Sequence, residues 1–141
     1  MKKKEDRPRV GVGALIFKDG KILIGKRKGA HGSGQYSFPG GHLEYMESFE
    51  ECLKREIFEE AGIHVKNIRF NYLANVGMYA PRHYVHVGLI AEWESGEPMV
   101  KEPEKNEFWK WCDPDDLPSP LFEMARLALE SMKTGRIYYD M

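Results

Sequence analysis

Three carboxylates and a guanidinium crowd one short stretch, REIFEEAG, in which Glu56, Glu59 and Glu60 follow Arg55. On a helix running from Phe49 to Ala61 at 100° per residue, Leu53 falls about 40° and Cys52 about −60° from Phe49, outlining a core-facing stripe. Glu56 falls at about −20° and Glu60 at about +20°, in the middle of that stripe, with Glu59 on its flank at about −80°. An unpaired carboxylate on a core face is costly, and two of them one turn apart repel each other. The end of a helix carries the negative pole of its dipole, which compounds the repulsion. A positive partner is therefore required. A buried arginine is one answer. A hard divalent cation is the better one, since such sites are built from one or two carboxylates with water and substrate phosphates.

The elements that must hold this cluster can be read around it. Ser48 and Glu51 have the Ser-x-x-Glu spacing of a capping box for a helix over Phe49–Ala61. Gly62 suits the left-handed position just past its end. Val10–Phe17 (VGVGALIF) and Lys21–Ile24 (KILI) are apolar and β-prone, and the Asp19-Gly20 pair between them predicts a hairpin. Residues 29–42, rich in glycine, read as loop. Asn67–Val76 and Tyr84–Trp93 read as strands split by a turn at Ala80-Pro81-Arg82, and Glu107–Trp111 as a shorter strand. Pro114–Pro120 reads as loop and Leu121–Met132 as a second helix. Strands, helix, strands and helix in that order predict an α+β sandwich.

The 141 residues suit one domain, 1–141, with a core over about 9–132. With 21 Lys and Arg against 22 Asp and Glu, the net charge of −1 offers no broad attraction to a nucleic acid polymer, although a nucleotide needs only a local patch. The basic start, MKKKEDRPR, leads into no apolar signal core, and no run approaches the roughly 18 apolar residues of a membrane helix. Cys52 and Cys112 make neither a disulfide framework nor a metal spacing. These features predict a cytoplasmic protein with two reduced thiols and no membrane partner.

From Gly41 to Ile63 the chain reads GHLEYMESFEECLKREIFEEAGI. This resembles the Nudix box, G-x5-E-x7-R-E-U-x-E-E-x-G-U with U aliphatic, at every fixed position: Gly41, Glu47, Arg55, Glu56, Ile57, Glu59, Glu60, Gly62 and Ile63. The segments GVGALIF, ILIGKRKG and FPGGHLE resemble the MutT-like branch. EPEKNEFWKW followed by DDLP is similar to cytosolic nucleoside triphosphate diphosphatases. The resemblance implies an α/β/α sandwich around a mixed sheet, with Mg2+ or Mn2+ as cofactor.

The resemblance also implies roles. Glu56, Glu59 and Glu60 would carry the metal with the carbonyl of Gly40, whose missing side chain lets the backbone approach an ion. Arg55 would orient the glutamates. Glu47 would support the loop–helix junction or a second metal. Arg27 would bind substrate phosphates beside Gly40 and Gly41. A box glutamate such as Glu59, or a later Glu104 or Glu107, with Glu107 preferred, would activate the attacking water. Tyr72, Tyr79, Tyr84, Trp109 and Trp111 read mostly as core, and His31, His42, His83 and His86 as structural or surface residues, with His42 notable beside the box.

The implied function is pyrophosphohydrolysis of a (d)NTP, including oxidised ones such as 8-oxo-dGTP, to the monophosphate and pyrophosphate. Alternatives are another nucleoside diphosphate linked to a group X (dihydroneopterin triphosphate, NADH or ADP-ribose) or a noncatalytic binding module. The repeated Pro and Trp of NADH enzymes and the proline of ADP-ribose enzymes about fifteen residues past the box are missing. Homodimerisation is left open.

Overall fold

The computed structural model describes residues 6–29 and 31–141; most of the basic start, residues 1–5, lies outside them. Strand β1 (Arg9–Lys18) turns at Asp19-Gly20 into β2 (Lys21–Arg27), and both turn residues have positive φ, 51° and 78°, as a tight hairpin requires. Short strands β3 (Tyr36–Ser37) and β4 (Gly40–His42) follow, then α1 (Phe49–Ala61), β5 (His64–Val76), β6 (Tyr84–Ser95), β7 (Asn106–Cys112), α2 (Glu123–Thr134) and β8 (Tyr138–Asp140). They build one mixed sheet in the order β3-β2-β1-β6-β5-β8. β1 with β6 and β5 with β8 are parallel pairs.

The sheet forks at β1. Its first half, Gly11–Gly13, pairs with β4, whereas its end, Phe17–Lys18, pairs with β2, which continues to β7. Period-two alternation sends Val12, Ala14 and Ile16 to one face, where they pack with Cys52, Leu53, Ile57 and Ala61 of α1. Leu15 points the other way, joining Tyr72, Ala74 and Ile90 beneath Leu127 and Ala128 of α2. Two helices thus cover two faces, as an α/β/α sandwich does.

α1 matches the predicted bounds. Glu51 N–H donates to Ser48 Oγ at 3.1 Å and Ser48 N–H donates to Glu51 Oε1 at 3.4 Å, closing the box in both directions. Gly62, at φ 71°, donates its N–H to Phe58 O. Phe49 departs from its predicted core position, at the first residue of the helix, and is 46% exposed.

Other expectations need correction. The predicted loop over 29–42 contains β3 and β4; the glycines of β4 carry little β propensity but are held by strand pairing. α2 begins at Glu123 and not at Leu121, since Phe122 keeps an extended backbone as N-cap. β8 went unread: it is three residues long and becomes a strand only because β5 offers a free edge.

Candidate active site

The last turns of α1 meet the fork. Glu60 is 8% exposed among apolar neighbours, and its Oε1 accepts one hydrogen bond, from Gly40 N–H at 3.0 Å. Burial drives its pKa up to about 8; the Gly40 bond opposes this, while the charges of Glu56 and Glu102 add to it. Glu56, one turn earlier, is also shifted upward by burial, in spite of Arg55. A side chain at position 41 would overlap the Glu56 carboxylate, and one at position 40 would strike Val12 O. Both glycines therefore allow backbone and carboxylates to share one small space.

Arg55 is the hub of the carboxylates. It donates through Nε and Nη2 to Glu47 at 2.6 and 2.9 Å, and through Nη1 to Glu56 at 2.7 Å and Glu59 at 3.3 Å. Its Nη2 also reaches His42 O at 3.0 Å, tying α1 to β4. The bidentate Arg55 fork holds the Glu47 carboxyl down at about 2. The same helix keeps the Cys52 thiol inert, pushed up to about 12 by burial.

Among the described residues no three His, Cys, Asp or Glu side chains already converge as ligands, because Arg55 draws Glu56 and Glu59 toward itself. The donor set nonetheless fits a hard divalent cation. The donors are carboxylate and carbonyl oxygens, and the buried Glu60 carboxyl accepts a hydrogen bond only from Gly40 N–H. Glu56, Glu59, Glu60 and Gly40 are the residues that could hold it.

A cavity of about 440 Å3 opens beside the carboxylates and is lined by Gly40, Gly41, Glu56 and Glu60 at one end. Arg27, Lys28, Arg82 and Lys105 also line it, as do Tyr79, Tyr84, Trp109 and Phe122. Arg27 sits at the end of β2 with its guanidinium 4.2 Å from the Phe122 ring centroid, donating through Nε to His31 O at 3.1 Å. His31 meets Tyr79 and Phe122 edge-on, and His42 stacks on Tyr84 with ring centroids 5.9 Å apart. Acid, base and aromatic surface therefore meet in one space.

The structure brings Arg27, Gly40, Gly41, Glu56 and Glu60 together on that cavity, with Arg55 and Glu59 behind the rim. It does not bring Glu107 there: that carboxylate pairs with Lys26 Nζ at 3.4 Å and is absent from the lining. Glu104 is exposed. The loop glutamate whose charge acts on Glu60 is Glu102, which opens the EPEKNEFWKW segment without having been a candidate; like Glu107 it lies outside the cavity lining, and its Oε2 pairs with Lys105 Nζ at 3.5 Å. Met99 N–H and Lys101 N–H donate to the open carbonyls of Ala61 and Glu60, so the loop seals the end of α1 and carries Glu102 to it. Glu102 Oε1 is buried without a hydrogen-bond partner, and its charge is felt at Glu60. His31, His42 and His86 also line the cavity. Among the aromatics, Tyr72, Tyr79, Tyr84 and Trp109 share that wall, Tyr72 while also buried in the core.

The helix that carries Arg55 and its glutamates, the forked mixed sheet and the cavity between them define a Nudix architecture, and the chain belongs to the NUDIX domain family, whose model matches residues 7–132. It is similar to a MutT NUDIX hydrolase of Burkholderia pseudomallei of known structure, with 40% identity, a TM-score of 0.83, and coverage of 89% of this chain and 98% of that one. An ADP-ribose pyrophosphatase of Methanocaldococcus jannaschii is 33% identical over 89% of this chain and 74% of its own length. An NAD-capped RNA hydrolase NudC of Actinobacillus succinogenes is 42% identical over 58% of this chain. The chain spans only 30% of that relative, and about a third of the length of the NudC proteins it resembles.

Proposed function

We propose that the protein hydrolyses a phosphoanhydride bond in a nucleoside diphosphate linked to a further group, with a nucleoside triphosphate giving monophosphate and pyrophosphate as the first reading. The observation that carries it is the single cavity joining the buried Glu56–Glu60 carboxylates to Arg27, Lys28 and Lys105 and then to an aromatic wall. A bound Mg2+ or Mn2+ would supply neutralisation of the charge that spreads over the phosphoryl oxygens. Glu56, Glu59, Glu60 and the Gly40 carbonyl hold it, and Arg55 keeps the first two aimed. Arg27 and Lys105 bind phosphate. Glu102 orients and deprotonates the water: its Oε1 is buried without a hydrogen-bond partner and its charge acts on Glu60, while its Oε2 pairs with Lys105 Nζ at 3.5 Å. Glu107 is exposed and does not act on Glu60, which makes it the less suited base.

A second reading, ADP-ribose or another dinucleotide as substrate, is favoured by the Methanocaldococcus jannaschii relative. Product chromatography with Mg2+ on a panel of nucleoside triphosphates, NADH and ADP-ribose decides between them. Monophosphate with pyrophosphate supports the first reading, and AMP from ADP-ribose supports the second. Diphosphate with orthophosphate as initial products argues against both. A Glu102→Gln variant should lose about 100-fold in turnover, within the range of a general base, while Glu107→Gln stays near wild type.

A further inference from the structure

The floor of the cavity lies on the α2 face of the sheet, where Gly11 and Gly13 of β1 leave two side-chain positions empty. The His86 imidazole fills them. A Cβ on Gly11 would sit 3.0 Å from His86 Nδ1, and one on Gly13 would sit 3.3 Å from both Cε1 and Nε2. The Nδ1–Cε1–Nε2 edge therefore runs along β1 from position 11 to position 13. Strands are about 4.8 Å apart, and β4 is the strand on the far side of β1 from β6. The ring thus leans from β6 across β1, on the side where β4 pairs.

Nothing in the described protein occupies its nitrogens. Among the described residues neither makes a hydrogen bond, and neither is sealed from solvent, so both open onto the cavity. Tyr72 is tilted beside the ring at a centroid distance of 5.7 Å and is itself fixed by a hydrogen bond from its hydroxyl to Met124 O. Burial, assisted by His42, lowers the imidazole pKa to about 4, so at neutral pH it carries one donor and one acceptor and no charge. An uncharged ring beside a phosphate site adds little to binding phosphate. It is suited to hydrogen-bond a neutral polar group. A site with a held donor and acceptor left unpaired by the wrong ligand discriminates strongly, because the unmet group stays desolvated.

We infer that His86 is a specificity-determining residue that reads the nucleoside part of the substrate, through a sugar hydroxyl or the edge of the heterocycle, from a floor cleared by Gly11 and Gly13. This rests on the hydrolase reading above but concerns which nucleotide is chosen, not the bond that is cut.

The test compares wild type with His86→Phe, His86→Asn and Gly13→Ala on ATP, GTP, CTP, UTP, dGTP and ADP-ribose, with thermal midpoints alongside. His86→Phe keeps a flat ring and removes both hydrogen-bonding nitrogens. It should shrink the ratio of kcat/KM between best and worst substrates about tenfold, mainly through KM. Inhibition by inorganic pyrophosphate should stay within about twofold, since the phosphate contacts remain. His86→Asn should restore part of the ratio, and Gly13→Ala should mimic the loss by pushing the ring. A gap between GTP and dGTP that closes assigns the contact to the sugar, and one among the four ribonucleotides assigns it to the base. Equal losses on every substrate, or an unchanged ratio, overturn the inference. Should wild type hydrolyse none of the panel, the hydrolase reading falls. His86 is then judged by calorimetric Kd values for the same nucleotides: selectivity lost in His86→Phe upholds the inference, and an unselective wild type overturns it.

Discussion

Glu60 is held by burial in a protonation state that the unfolded chain does not share. Its carboxyl has a folded pKa of about 8 against an unperturbed 4.5. Between those values the unfolded chain releases the proton while the folded protein retains it, so the metal-free fold loses stability as pH rises through this window. In Glu60→Gln that loss disappears. The thermal midpoint of the variant should therefore gain on wild type from pH 5 to pH 8 in chelator, while its turnover falls by orders of magnitude; parallel midpoint curves would refute the buried-acid description. The two arginines differ in the same kind of assay. Arg55 already pairs with Glu47, Glu56 and Glu59, so Arg55→Ala should lower the thermal midpoint and weaken Mg2+ binding, leaving buried carboxylates without their cation. Arg27 makes no ion pair among the described residues and stacks on Phe122, so Arg27→Lys should weaken triphosphate turnover with little change in midpoint. Equal midpoint losses in both would make Arg27 structural.

At the scale of elements, α1 and β4 act as one unit. The capping box fixes where the helix starts, Arg55 bonds across to His42 O, and Gly40 N–H reaches Glu60 from the strand. Ser48→Ala removes one half of the box and should cost about 1 kcal/mol by denaturant titration, with kcat changed little because the glutamates lie three turns later. Gly41→Ala is the opposite case. The added methyl displaces the Glu56 carboxylate, a flexible group, so stability should fall modestly and activity severely. Wild-type turnover in Gly41→Ala would remove Glu56 from the site.

For the whole molecule, the fork of the sheet decides what can meet. β1 gives its first half to β4 and its end to β2, and residues of both partners line the cavity together with β1, β5, β6 and α2. Its carboxylate end exists only in the folded chain, so a divalent cation should stabilise the fold by mass action, by about 2.7 kcal/mol at a hundred times its Kd. Because Glu60 must lose its proton first, Mg2+ should raise the thermal midpoint more at pH 8 than at pH 6.5. A shift that is independent of pH would place the ion elsewhere.

The sequence by itself determined the helix, its two ends and the conflict within it. Capping, the left-handed Gly62 and the 3.6-residue period are local, and they placed Glu56 and Glu60 on the buried face without any tertiary information. The spacing of Arg55 and its glutamates was likewise enough to mark the family. What lay beyond reach was set by pairing between distant segments. β4 is a strand because β1 offers it an edge, and β8 because β5 does. Glu102 is carried toward the end of α1 because Met99 and Lys101 close the open carbonyls of that helix, a contact written in neither segment alone. His86 looked like any strand histidine. Only register, which sets it across Gly11 and Gly13 on the neighbouring strand, turned it toward the cavity. Periodicity reports which face a residue takes, and which residues share that face across the sheet is decided by topology.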